Sequence, residues 1–172
     1  MKKLILFFFI SIVSYSQTDI NKLKLENSNL KAELKIYKDE NDYLKKVFKI
    51  NHPIKELVEG NNSYKITSVV KEKDFLKFSV LIESIDEDKR LTIGDFQLVD
   101  LEGNYYKIDL SNTGDIYPKL VKEVPYKLEL SFKVGDVKPL FIKLLQFKIS
   151  SQPERNLFEN QTHSVFFKDL KI

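Results

Sequence analysis

The chain of 172 residues contains no cysteine. That excludes a disulfide framework, thiol catalysis, cysteine-ligated metal and a lipid-modified cysteine, so the fold must be held by packing alone. Glycine is missing from the first third. Gly60, Gly94, Gly103, Gly114 and Gly135 all lie in the remainder. A surplus of one charge is missing as well. The net charge is +3, and without Lys2 and Lys3 the chain carries 26 basic against 25 acidic residues. Residues 51–172 carry 18 basic and 19 acidic side chains. Nucleic-acid binding needs a clustered basic face, so no nucleic-acid partner is expected.

Catalytic motifs are absent too. There is no glycine-rich phosphate loop, no nucleophile elbow and no helical His-Glu-x-x-His. His52 and His163 are far apart and fit no zinc spacing, and both are expected to be ordinary surface or strand-end residues. Asp109 to Gly114, "DLSNTG", imitates half a calcium loop. Its twelfth position is Leu120, where a bidentate glutamate is required, so it reads as a polar loop. Asp86, Glu87 and Asp88 in "IDEDKR" read as a solvated acidic turn. Tyr105, Tyr106, Tyr117 and Tyr126 invite a sugar- or peptide-binding face, but alternation sends one of Tyr105 and Tyr106 inward. The expectation is a non-enzymatic protein with no cofactor and no catalytic, cofactor-binding or metal-binding residue.

What is present begins with "MKKLILFFFISIVSYS". Two lysines, an apolar run from Leu4 to Val13 and small residues at Ser14 and Ser16 match a secretory signal peptide over residues 1–16, cut before Gln17. An apolar run of about ten residues is too short for a hydrocarbon core of ~30 Å, so no stable membrane anchor is expected after cleavage. The mature protein is expected to be exported, to the periplasm or outside the cell.

Residues 17–50 predict a helix, starting near Thr18 or Asp19 and ending by Pro53. Heptads place Ile20, Asn27, Leu34, Asn41 and Phe48 at position a, and Leu23, Leu30, Tyr37 and Leu44 at position d. The seam runs about 43 Å. Its flanks segregate by sign. Position e holds Lys24, Lys31, Lys38 and Lys45; position g holds Glu26, Glu33, Glu40 and Val47. In a parallel pair, Glu26 faces Lys31, Glu33 faces Lys38 and Glu40 faces Lys45, whereas an antiparallel pair opposes like charges. Each such pair is worth only about 0.2–1 kcal/mol, but several reversing sign together choose an orientation. Asn27 and Asn41 fix register and favour two strands, while Tyr37 at d leaves a trimer open. The competing reading is one amphipathic helix lying on its own sandwich, and Leu25, Ile36 and Tyr43, off the seam, support it.

From about residue 54 the apolar period becomes two. Seven segments read as strands: "NNSYKITSVV", "DFLKFSVLIES", "IGDFQLVD", "NYYKIDL", "VPYKLELSFKV", "LFIKLLQFKIS" and "HSVFFKDLKI". Tyr126, Leu128, Leu130, Phe132 and Val134 share one face, as do Leu76, Phe78, Val80 and Ile82, which describes sheets packed on one side. "LEGN", residues 101–104, reads as a tight hairpin turn. The expected fold is mainly β, an antiparallel sandwich of about seven strands over 63–172, with 51–62 a linker or edge strand.

The succession of Asp100, Gly103, Tyr105 and Tyr106, with Leu130 and Phe132 on a later strand, resembles exported bacterial immunoglobulin-like sandwiches of the telokin-like kind. Many of these have no known function. The resemblance spans roughly residues 54–172; it implies a fold and an exported location, and brings no catalytic residues. The Cys…Trp…Cys signature of antibody-type domains is absent.

These readings combine into an exported binding or assembly protein. It self-associates through a parallel coiled coil, as a dimer or trimer, and displays one sandwich per chain so that weak contacts gain avidity. The alternatives are a monomeric periplasmic accessory subunit, whose helix docks onto an envelope or extracellular protein, and a secreted hydrolase.

Overall fold

The structure is a computed structural model. It describes the backbone of residues 2–172 apart from 138 and 157, and side chains from residue 20 onward apart from 49, 51, 138 and 157. The chain divides into two compact units, Met1–Phe48 and Lys49–Ile172.

The first unit is one helix, α1, which spans Lys2–Asn51. It does not begin at Thr18 or Asp19. No glycine or proline interrupts residues 2–51, so nothing breaks the backbone ladder across Ser16 and Gln17. Pro53 ends it, because a proline bars α geometry from the residue before it. The side chains of the expected signal peptide, residues 1–16, lie outside those described. Among the described residues no helix is long and apolar enough to cross a membrane.

The second unit is mainly β. Its strands are β1 (Lys55–Glu59), β2 (Asn62–Glu72), β3 (Phe75–Ser84), β4 (Lys89–Asp100), β5 (Tyr105–Ile108), β6 (Lys119–Leu120), β7 (Tyr126–Lys133), β8 (Phe141–Pro153) and β9 (Gln161–Lys171). Nine strands are therefore described, not about seven. All their pairings are antiparallel, in the order β1-β2-β3-β7-β5-β4-β8-β9, with β6 on β4. The four residues of β5 are shared between two sheets. Tyr105 and Tyr106 pair with Val99 and Leu98 of β4, and Lys107 and Ile108 pair with Lys133 and Phe132 of β7. The sheet thereby curls into a nearly closed, barrel-like sandwich whose two free edges are β1 and β9.

Alternation decides which side chains enter the core. On β3, Leu76, Phe78, Val80 and Ile82 are buried and lie opposite Phe132, Leu130, Leu128 and Tyr126 of β7. On the other sheet Leu145 and Phe147 of β8 face Phe167 and Val165 of β9. Phe147 sits at the centre of an aromatic group, with ring centroids 6.1 Å from Tyr64, 6.5 Å from Phe96 and 6.4 Å from Phe167. Each such buried side chain contributes about 1.5–3 kcal/mol. This core replaces the disulfides that the composition excludes.

Candidate functional sites on the helix and at the sheet seam

Along α1 every apolar residue of the expected seam is open to solvent. Ile20, Leu23, Leu30, Leu34, Tyr37, Leu44 and Phe48 are between 47% and 64% exposed. Asn27 and Asn41 are exposed as well. The flanking charges Glu26, Lys31, Glu33, Lys38, Glu40 and Lys45 share that exposure. Each oppositely charged g–e pair is separated by five residues, so its members point away from each other on one helix and cannot meet there. Among the described residues the one ion pair along α1 is Lys45–Asp42, at 3.9 Å and fully on the surface. Apart from Lys45, none of the flanking charges forms an ion pair among the described residues. Leu25, Ile36 and Tyr43, off the seam, are also exposed.

The second unit holds three polar clusters. The first is Asp86. It lies in an exposed acidic turn, as the sequence predicts, but not as a free charge. Its carboxylate accepts from Asn61 Nδ2 at 3.1 Å, Ser84 Oγ at 3.1 Å and the Glu87 amide at 2.8 Å, and it pairs with Lys89. Lys89 is only 3% exposed. Burial pushes the Asp86 carboxyl up, but Lys89 and these donors outweigh it and hold it at about 2. Glu87 binds Arg155 at 2.7 Å, and Asp88 accepts from the Lys122 amide at 2.9 Å. The three acids therefore tie loops together, because a chain reversal beside buried strand ends leaves amides in need of acceptors.

The second is Asp100, the last residue of β4. It accepts from the amides of Glu102 and Asn104 at 2.9 Å each, from Asn104 Nδ2 at 2.9 Å and from the Tyr106 hydroxyl at 2.7 Å. Burial raises this carboxyl, and the donors, Tyr106 first, override it to leave it at about 2. The Tyr106 phenol is pushed up to about 12 by burial and by the same carboxylate. Gly103, with φ at 85°, closes the hairpin. Asp100, Gly103 and Tyr106 thus form one structural corner. Tyr105 points outward at 75% exposure. The Tyr126 hydroxyl donates to the Asp115 carbonyl at 2.7 Å, so Tyr106 and Tyr126 both spend their polar ends internally.

The third cluster lies where β1 and β9 approach. Glu59 and Asn62 pair across a two-residue turn, Gly60-Asn61, with φ at 55° and 59°. Two consecutive left-handed residues make this a primed turn, the geometry that matches strand twist. Behind it, fully buried Asn62 donates through Nδ2 to the Gly60 carbonyl at 3.2 Å and to the Tyr64 hydroxyl at 3.1 Å. That hydroxyl lies 2.7 Å from His163 Nε2. His163 is therefore not an ordinary strand-end residue: it is half-buried on β9 and joined to β2. His52 is exposed. In the loop that imitates calcium binding, Asp109 accepts from the Ser111 amide at 2.9 Å and Asn112 Nδ2 at 2.8 Å, while Leu120 is buried in the core.

No family model matches the chain, and no curated protein matches it. Among solved structures it is similar to a DUF4426 family protein from Pseudomonas aeruginosa, 11% identical, covering 69% of this chain and 95% of that one, with a TM-score of 0.36. A likeness of that extent decides nothing about the site.

Proposed function

We propose that the protein is an exported, non-enzymatic assembly protein that pairs with copies of itself through α1 in parallel and displays its β units for binding. The exposed heptad face carries this reading: a seam flanked by lysines on one side and glutamates on the other, whose g–e pairs cannot meet on one helix. A second copy in parallel register supplies the complement to each flank and covers the seam in the same step. The immunoglobulin-like kinship of the β unit belongs with this proposal and rests on Asp100, Gly103, Tyr105, Tyr106, Leu130 and Phe132.

Sedimentation of residues 17–172 at tens of micromolar tests it. A mass of two or three chains is expected, falling to one chain on Leu34→Lys, because a lysine at position a buries charge in the seam. A strictly monomeric wild type contradicts the proposal. It would favour the second reading, an accessory subunit whose helix docks onto a larger envelope protein. The exposed Leu25, Ile36 and Tyr43 support that reading, since they put apolar side chains on the helix face away from a two-stranded seam.

A further inference from the structure

The contact between Tyr64 and His163 spans the sheet seam. Among the described residues no backbone ladder joins β1 to β9, so the closure there depends on side chains. The Gly60-Asn61 turn lies directly on the His163 ring: a Cβ on Gly60 would come within 2.3 Å of Cε1 and 2.4 Å of Nδ1. Only glycine permits that approach.

The hydrogens of this cluster balance in one protonation state. Tyr64 is fully buried and has one proton to donate. With neutral His163 it donates to a bare Nε2 and accepts from Asn62 Nδ2, leaving the ring proton on Nδ1. An imidazolium would instead direct an N–H from Nε2 at the phenol oxygen. The Tyr64 proton would then need another acceptor beside a fully buried side chain. One candidate is Asn62 Oδ1, which is buried and has no partner among the described residues. Using it requires the amide to flip, which sets Oδ1 against the Gly60 carbonyl in place of the present N–H. Either outcome strands a buried polar group, which destabilises the closed seam.

We infer that Asn62, Tyr64 and His163 form an acid-released latch, which holds the β1–β2 turn to β9 while His163 is neutral and lets the seam open when it is protonated. The groups facing the ring come from three elements: Glu59 at the end of β1, Tyr64 of β2 and Lys89 of β4. Burial lowers the His163 pKa, Glu59 acts to raise it and Lys89 to lower it further, with a net fall below the ordinary 6.5. Neutral His163 therefore adds stability that is complete above 6.5 and is lost as pH falls through its lower, folded value. Opening moves the free edge of β1 away from β9.

Two-dimensional NMR of the full chain tests the latch, with the His52→Gln variant used to assign the rings. His163 is expected as the Nδ1–H tautomer with a midpoint below 6.5. Amide exchange in β1 and in the first half of β9, corrected for intrinsic rates, should rise about tenfold as pH falls through that midpoint, with β3 and β7 unchanged. Tyr64→Phe removes the proton conflict, so His163 should titrate nearer its ordinary value and the acid response should vanish even though overall stability drops. The Nε2–H tautomer, pH-independent exchange at the seam, or an acid response surviving in Tyr64→Phe would each overturn the latch. Should Tyr64→Phe fail to fold, His163→Gln serves: a glutamine cannot titrate, and an acid response persisting there overturns it equally.

Discussion

A methyl group added to Gly60 would lie 2.3 Å from Cε1 of His163, so the β1–β2 turn rests on the imidazole with no room for a side chain. Gly103 also has positive φ, at 85°, but meets nothing within 4 Å. The two glycines separate backbone strain from packing. Gly103→Ala is expected to lose only the left-handed penalty, about 1–2 kcal/mol. Gly60→Ala bears the same penalty and must also push the ring off Tyr64, for a total of about 3 kcal/mol or more. Urea midpoints of the two variants check the difference.

Asp100 contributes to the acid limb of stability, as does Asp86, whose carboxyl is held equally low. The Asp100 carboxyl sits at about 2 in the fold against an ordinary 3.8. A depressed carboxyl adds stability above its unfolded value and loses it as pH falls through the folded one. Asp100→Asn should therefore be less stable than wild type at neutral pH, with the gap closing between 3.8 and about 2. Tyr106→Phe removes one of the donors, moves the carboxyl toward its ordinary value and narrows that window. Denaturant titrations at several acid pH values measure both.

Two buried serines should respond in opposite ways. Ser131 Oγ is buried without a partner among the described residues, whereas Ser84 Oγ donates, with Asp86 at 3.1 Å and the Glu87 carbonyl at 2.5 Å as its acceptors. Deleting an unsatisfied hydroxyl relieves a desolvation cost, so Ser131→Ala should be neutral or stabilising by up to about 1 kcal/mol. Ser84→Ala strips a donor from the Asp86 cluster and should lose about 1–3 kcal/mol. Thermal unfolding of the pair checks the sign.

The strands that could be read from sequence are those whose inward rows are unbroken. Leu76, Phe78, Val80 and Ile82 on β3 and Leu128, Leu130 and Phe132 on β7 alternate cleanly, and the structure buries all of them. β1 could be read only as a linker or edge strand over 51–62, because "KELVE" turns only Leu57 inward among charges, and β6 hid because it is two residues long. The first half of β4 was masked by the acids before it: Lys89 looks like a surface charge, yet it is buried against Asp86. The seam cluster was out of reach for a different reason. Tyr64 and His163 stand 99 residues apart, and only the curl of the sheet joins them. One trace was legible: Asn62 and Tyr64 occupy the inward row of β2 with Ile66, so polar atoms had to be satisfied inside. The heptad charges, by contrast, need no fold to be read.

The central claim is parallel pairing of α1, and the absence of cysteine makes it directly measurable. Asn27→Cys places one thiol at position a, where two parallel helices in register bring the same residue together. Leu25→Cys, on the outer face, is the control. Under mild oxidation the account predicts rapid disulfide-linked dimers from Asn27→Cys and slow, concentration-driven ones from Leu25→Cys. Equal rates from the two positions, or no cross-link at position 27, would contradict it.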